Sequence, residues 1–139
     1  MPGVLRLPSR LRRDLIAAAR ARPDEEVCGL VAGKGGRAVE LLPVENRLHR
    51  PDAFDMEPAA LIDAMRRIRQ SGRELIAIYH SHPDGPPYPS PTDLAENQYP
   101  ETVHLVIGRE RERWRLRGFR LDREIAELDL EVVPDGAGD

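Results

Sequence analysis

His80-Ser81-His82, followed by Ser90 and Asp93, is the part of this chain whose residue types and spacing can do chemistry. The pattern is H-x-H, seven residues, S, two residues, D. Two imidazoles and a carboxylate are the ligand set of a hydrolytic zinc site that keeps a fourth position open for water. In extended backbone, residues two apart project to the same side, so both rings can reach one ion. Ser90 adds a hydroxyl donor. The same residues also read as a helix start, with Ser90 at the N-cap, Pro91 at N1 and Asp93 at N3. The two roles are compatible, because a carboxylate in the first helical turn can face an ion lying over the helix N-terminus. His49, in a polar segment, and His104, between Val103 and Leu105, read as ordinary surface and strand residues.

Such a site needs a general base, within reach of the attacking water but off the metal. Asp84 adjoins Gly85 and reads as a turn residue. The base must come from elsewhere, and the chemistry leaves Asp24, Glu25, Glu26 and Glu57 as candidates.

The elements that must position these groups follow from periodicity. Val4–Leu7 predicts a strand, with Ser9 the N-cap of a helix that runs to about Ala21 and buries Leu11, Leu15, Ala18 and Ala19. Val27–Ala32 and Ala38–Val44 predict a hairpin around Gly35-Gly36. After the irregular stretch Asn46–Glu57, Pro58 opens a second helix that faces Leu61, Ile62, Met65 and Ile68 inward and closes at Gly72. Leu75–Tyr79 is an unbroken apolar run, expected of a central strand buried on both faces, and the histidines begin where it ends. Residues 83–91 carry five prolines and one glycine, so stiff backbone holds the loop. A short helix to about Asn97 and three strands, Val103–Ile107, Trp114–Leu121 and Ile125–Val132, complete the chain. The mixed order favours an α+β domain, a mixed, mostly antiparallel β-sheet with helices packed on it. Residues 1–134 read as a single domain and 135–139 as a short flexible tail.

Composition removes several classes. At 139 residues, 40% hydrophobic and 32% charged, the chain reads as one globular domain. A net charge of -3 with scattered arginines gives no footprint for nucleic acid. No apolar run approaches the roughly 18–20 residues that span a membrane, and Met1–Arg10 has no signal core. Cys28 is the single cysteine, which fits a cytoplasmic protein, and its apolar surroundings make it a small packing residue. No pattern sets an oligomeric state.

Tyr79-His80-Ser81-His82-Pro83 together with Ser90-Pro91-Thr92-Asp93 resembles the JAMM signature of the MPN-domain metalloproteases. Glu26-Val27-Cys28-Gly29-Leu30 resembles that family's second element, whose glutamate is the base, and so selects Glu26. The resemblance covers roughly Val4 to Arg120 and is most like the small stand-alone prokaryotic members. It implies a single MPN-type domain in which His80, His82 and Asp93 hold Zn2+. It also implies Glu26 as the proton carrier, Ser90 as oxyanion donor and Ser81 as a residue that orients the loop. The implied reaction is hydrolysis after the C-terminal diglycine of a ubiquitin-like sulfur-carrier protein or its conjugates. The alternatives are a zinc hydrolase of the same fold acting on another substrate, and a scaffold that keeps the fold without the chemistry.

Overall fold

A computed structural model describes residues 4–97 and 99–136. In chain order the elements are β1 (Leu5–Pro8), α1 (Ser9–Ala21), β2 (Cys28–Lys34), β3 (Arg37–Val44), α2 (Pro58–Gln70), β4 (Glu74–Ser81), α3 (Pro91–Ala95), β5 (Val103–Glu110), β6 (Arg113–Leu121), β7 (Ile125–Leu128) and β8 (Leu130–Val133). The strands form one sheet in the order β7-β6-β5-β4-β2-β3-β1-β8. Pairs β2–β3, β2–β4, β5–β6 and β6–β7 are antiparallel; β1–β3, β1–β8 and β4–β5 are parallel. This is the expected α+β arrangement.

Alternation along the central strands divides the core in two. Val31, Ala77, Tyr79, Leu105 and Ile107 face α1, where Leu11, Leu15 and Ala19 complete one cluster. Cys28, Leu30, Ala32 and Ile78 face α2 and pack on Ala64 and Ile68. Each fully buried leucine contributes on the order of 1.5–3 kcal/mol. His80, two residues after Ile78, therefore falls on the α2 face.

The outermost strands, β7 and β8, are separated in the chain only by Asp129. Two residues of extended chain span at most about 7 Å, so the sheet must curl until its edges meet. Helix α1 fills the curl and touches strands from both ends, β8 and β1 as well as β5 and β6.

Five expectations are corrected. The segment Ile125–Val132 is not one strand: its alternation runs on, but the pairing partner changes at Asp129 from β6 to β1. Ile62 does not face inward and is 59% exposed; Ala64 takes its place in the core. Ser9 is the first residue of α1 rather than its cap, and Pro8 at the N-cap position makes no side-chain bond. Asp135, assigned to the tail, does the capping: its carboxylate accepts from Arg10 N at 2.7 Å and from Ser9 Oγ at 3.3 Å. Finally, β4 runs on through His80 and Ser81. Residues 137–139 lie outside the described residues. Among the described residues no helix is long and apolar enough to cross a membrane.

Gly108 on β5 fixes where the proline-rich loop sits. A Cβ there would overlap the backbone of Pro86 and Pro87 and lie 2.7 Å from Gly85 O. Backbone cannot swing aside as a flexible side chain can. Gly108→Ala is therefore expected to cost about 1–3 kcal/mol, read as a lower denaturation midpoint. Unchanged stability would show that the loop is not seated as described.

Candidate active site

Strand β4 delivers the first ligand candidate. His80 is 1% exposed, and its neighbour Ser81 is fully buried. Pairing with β2 sets Cys28 opposite His80, and the ladder then continues one step beyond β2. Ser81 N donates to Val27 O at 2.9 Å, and Ser81 Oγ accepts from Val27 N at 2.8 Å. Ser81 thus orients the segment that carries Glu26, not only its own loop.

His82 and Asp93 come from the loop and from α3. His82 N donates to Ile107 O at 2.7 Å, and Arg109 N donates to Gly85 O at 2.7 Å, stitching the loop to β5. Asp93 sits in a full capping box: its N–H donates to Ser90 Oγ at 3.0 Å, and its Oδ2 accepts from Ser90 N at 2.8 Å. The expected cap and the expected site coexist. The bond from Asp93 uses a lone pair of the Ser90 hydroxyl and leaves its proton free to donate.

Three atoms converge. His80 Nε2 and His82 Nε2 are 3.1 Å apart, and Asp93 Oδ2 lies 3.0 Å from the first and 3.2 Å from the second. His82 Nδ1 lies 3.0 Å from Pro86 O and so carries the ring proton, which leaves a lone pair on Nε2. Two imidazole lone pairs and a carboxylate at this spacing repel one another unless a cation lies among them. Ligand atoms about 2.0–2.1 Å from a tetrahedral zinc stand roughly 3.3 Å apart, close to the observed edges. The donor set fits zinc.

His80 and Asp93 titrate as that assignment needs, while against its burial the contacts of His82 with Asp93 and Pro86 O raise its pKa. Burial lowers the pKa of His80 and keeps it neutral, the form that binds metal. Burial also acts against the Asp93 carboxylate, but its close contacts with His80 and His82 and the Ser90 N–H outweigh it and hold the group well below the usual range. The ring of His80 stacks on Phe54 at 4.6 Å.

Of the four base candidates, one is at the site. A carboxylate oxygen of Glu26 lies within 4.8 Å of a ring nitrogen of each histidine. Burial raises its pKa to about 8, against a smaller lowering from His82. Glu25 is tied up by Arg22 at 2.7 Å and His49 at 3.2 Å. Asp24 is exposed, and Glu57 caps α2 through Ala59 N and Ala60 N. Cys28 is buried against Val44 O, and burial lifts its thiol to about 12, so it remains a packing residue.

Two residues had no signal in the pattern. His104 is buried beside Ile78 on the same face as His80 and borders a cavity of about 860 Å³ that also reaches His80, Ser90 and Asp93. Asn46, read as part of an irregular stretch, is buried and holds the backbone of Glu26, with Nδ2 3.0 Å from Glu26 O.

Residues 8–117 match the family described as prokaryotic homologs of the JAB domain. The chain belongs to this family. It is 38% identical over 107 residues to a probable TtuB-protein conjugate cleaving protease of Thermus thermophilus, covering 76% of this chain and 70% of that one. It is 34% identical over 82 residues to the desampylase of Pyrococcus furiosus, where the match spans 59% of either protein, less than two thirds of that relative. A solution structure of a Desulfitobacterium hafniense protein superposes with a TM-score of 0.83 at 24% identity, covering 96% and 94% of the two chains. A JAB1/MPN domain protein from Archaeoglobus fulgidus gives 0.59 at 19% identity, covering 91% and 99%. At these identities the two structures speak for the fold.

The burial of Glu26 has a measurable consequence in the ion-free protein. Its ordinary value is 4.5 and its folded value about 8, so the folded state holds the proton more tightly between them. The stability this group contributes is complete below 4.5 and is lost as pH rises to about 8. His104, depressed by burial from 6.5 to about 4, acts oppositely, and its contribution is complete above 6.5. Denaturation midpoints of the ion-free protein are expected to fall from pH 6.5 to 8, and Glu26→Gln to flatten that limb. A variant profile parallel to the wild type would contradict the assignment.

Proposed function

We propose that this protein is a zinc-dependent peptidase or isopeptidase that hydrolyses the bond after the C-terminal diglycine of a ubiquitin-like sulfur-carrier protein or its conjugates. The observation that carries the reading is the convergence of His80, His82 and Asp93 at 3.0–3.2 Å with a Glu26 oxygen within 4.8 Å of both histidines. Relatives named for desampylation and for cleaving TtuB conjugates support the substrate class.

In this reading His80, His82 and Asp93 hold the ion. Bound zinc would polarise the scissile carbonyl and acidify the attacking water. Glu26 takes the proton from that water and returns it to the leaving amine. Burial holds its carboxyl near neutrality, the range in which one group can both accept and release a proton. The Ser90 hydroxyl donates to the developing oxyanion, a contact typically worth about 3 kcal/mol. Pro86 O keeps His82 in the tautomer that points its lone pair inward. The catalytic unit is the domain 1–134, to which Asp135 adds a helix cap. The single cysteine, free and buried, supports work in the cytoplasm.

The test uses a ubiquitin-like carrier extended beyond its diglycine. Purified protein is expected to carry one zinc per chain and to release the extension. Chelator should abolish cleavage and added zinc restore it. Glu26→Ala should keep the zinc and lose about 10²–10⁴-fold in kcat. Stoichiometric zinc with no cleavage of any carrier fusion would overturn the substrate assignment. Loss of zinc in Glu26→Ala would overturn its role as base.

A further inference from the structure

Asn46 lies two residues beyond the end of β3 and is 2% exposed. An amide side chain has two donor and two acceptor positions, and here all are used. Nδ2 donates to Glu26 O at 3.0 Å and to Ala53 O at 3.1 Å. Oδ1 accepts from Leu48 N at 3.1 Å and from Asp55 N at 3.0 Å. A buried polar group satisfied at every position fixes its surroundings, since any shift of a neighbour leaves a bond unmade.

What it fixes is informative. One bond holds the backbone of Glu26. Two others hold Ala53 and Asp55, the residues on either side of Phe54. The ring of Phe54 stacks on His80 at 4.6 Å and 22°. The remaining polar groups around Glu26 are held independently, its N–H by Arg50 O at 2.8 Å and the next peptide by Ser81.

We propose that Asn46 is a positioning residue that joins the base to the metal ligand. Through its donor arm it sets the approach of Glu26, and through Phe54 it sets the ring plane of His80. It touches neither the ion nor the substrate. The proposal rests on the reading of Glu26 as base and His80 as ligand.

The arms can be separated. Asn46→Asp keeps the acceptor arm to Leu48 and Asp55 and removes the donors to Glu26 and Ala53. In the zinc-loaded enzyme it is expected to lower kcat about 10- to 100-fold, the scale of a catalytic group misplaced by about an ångström. KM and zinc affinity, the latter by chelator competition, should stay within about threefold. Asn46→Ala removes both arms. It should show the same loss in kcat and, in addition, a shift of the His80 ring-proton resonances as the Phe54 stack loosens. If Asn46→Ala fails to fold, Phe54→Leu supplies the shift expected for a loosened stack, and Asn46→Asp, which frees Ala53 but keeps Asp55, must show a smaller shift than that. Wild-type kcat in Asn46→Asp, activity lost only in proportion to zinc lost, or His80 resonances unmoved in a folded Asn46→Ala would each overturn the proposal. Should the wild type cleave no carrier, the substrate reading falls, while the ring-proton shift still decides this one.

Discussion

The active site depends on one register, that of β2 against β4. Val27 and Ser81, 54 positions apart, exchange two hydrogen bonds, one of them through a side chain. That exchange places a Glu26 oxygen within 4.8 Å of the histidines. A slip of one residue would be fatal in a specific way. Side chains alternate between faces, so His80 would turn from the α2 face into the leucines of α1, and the base and the ligands would part. Ser81 locks the register where the strand pairing itself gives out. Its hydroxyl serves a backbone N–H beyond the end of β2, which an alanine there would leave buried and unmatched.

Burial, the second constraint, makes this geometry reactive. The same apolar surroundings that raise Glu26 lower His80 and His104. Taking charge out of water favours the neutral form of each group. For His80, neutrality is what metal binding requires; for Glu26, it brings a carboxyl into the range of proton exchange near neutral pH. Asp93 alone stays ionised against its burial, because Ser90 and both histidines aim at it. One environment therefore gives two carboxyls opposite roles, according to the groups each one faces.

The legibility of these features in the sequence follows from their range. His80, His82, Ser90 and Asp93 lie within 14 residues and obey local rules, strand alternation and helix capping, so their spacing was readable directly. Glu26 was not selected by local rules; four acids qualified, and only the family pattern chose among them. The structure separates them by partners that are distant in sequence: Arg22 and His49 on Glu25, the α2 amides on Glu57. Asn46 and His104 were invisible for the same reason, since neither has a local periodicity that marks it. The split of β7 from β8 was hidden differently. Alternation reports which face a residue takes and is silent on which strand it pairs with, so a change of partner at Asp129 leaves no trace.

The position of β4 in the sheet explains why two such different segments can meet. A central strand has two neighbours, and this one uses both. On one side β2 runs antiparallel and brings the base to the end where His80 emerges. On the other side β5 runs parallel, so its own end lies at the same edge and can hold the loop carrying His82. Ile107 O and Gly108 do that holding, the first by a hydrogen bond at 2.7 Å and the second by the space its missing side chain leaves for Pro86 and Pro87. Ligand and base are thus fixed from opposite flanks of a single strand, and an edge strand, with one flank open, could fix only one of them. The long connections this demands, 54 residues from base to ligand on one side and a proline-stiffened loop on the other, are the entropic cost of a site assembled at the middle of a sheet.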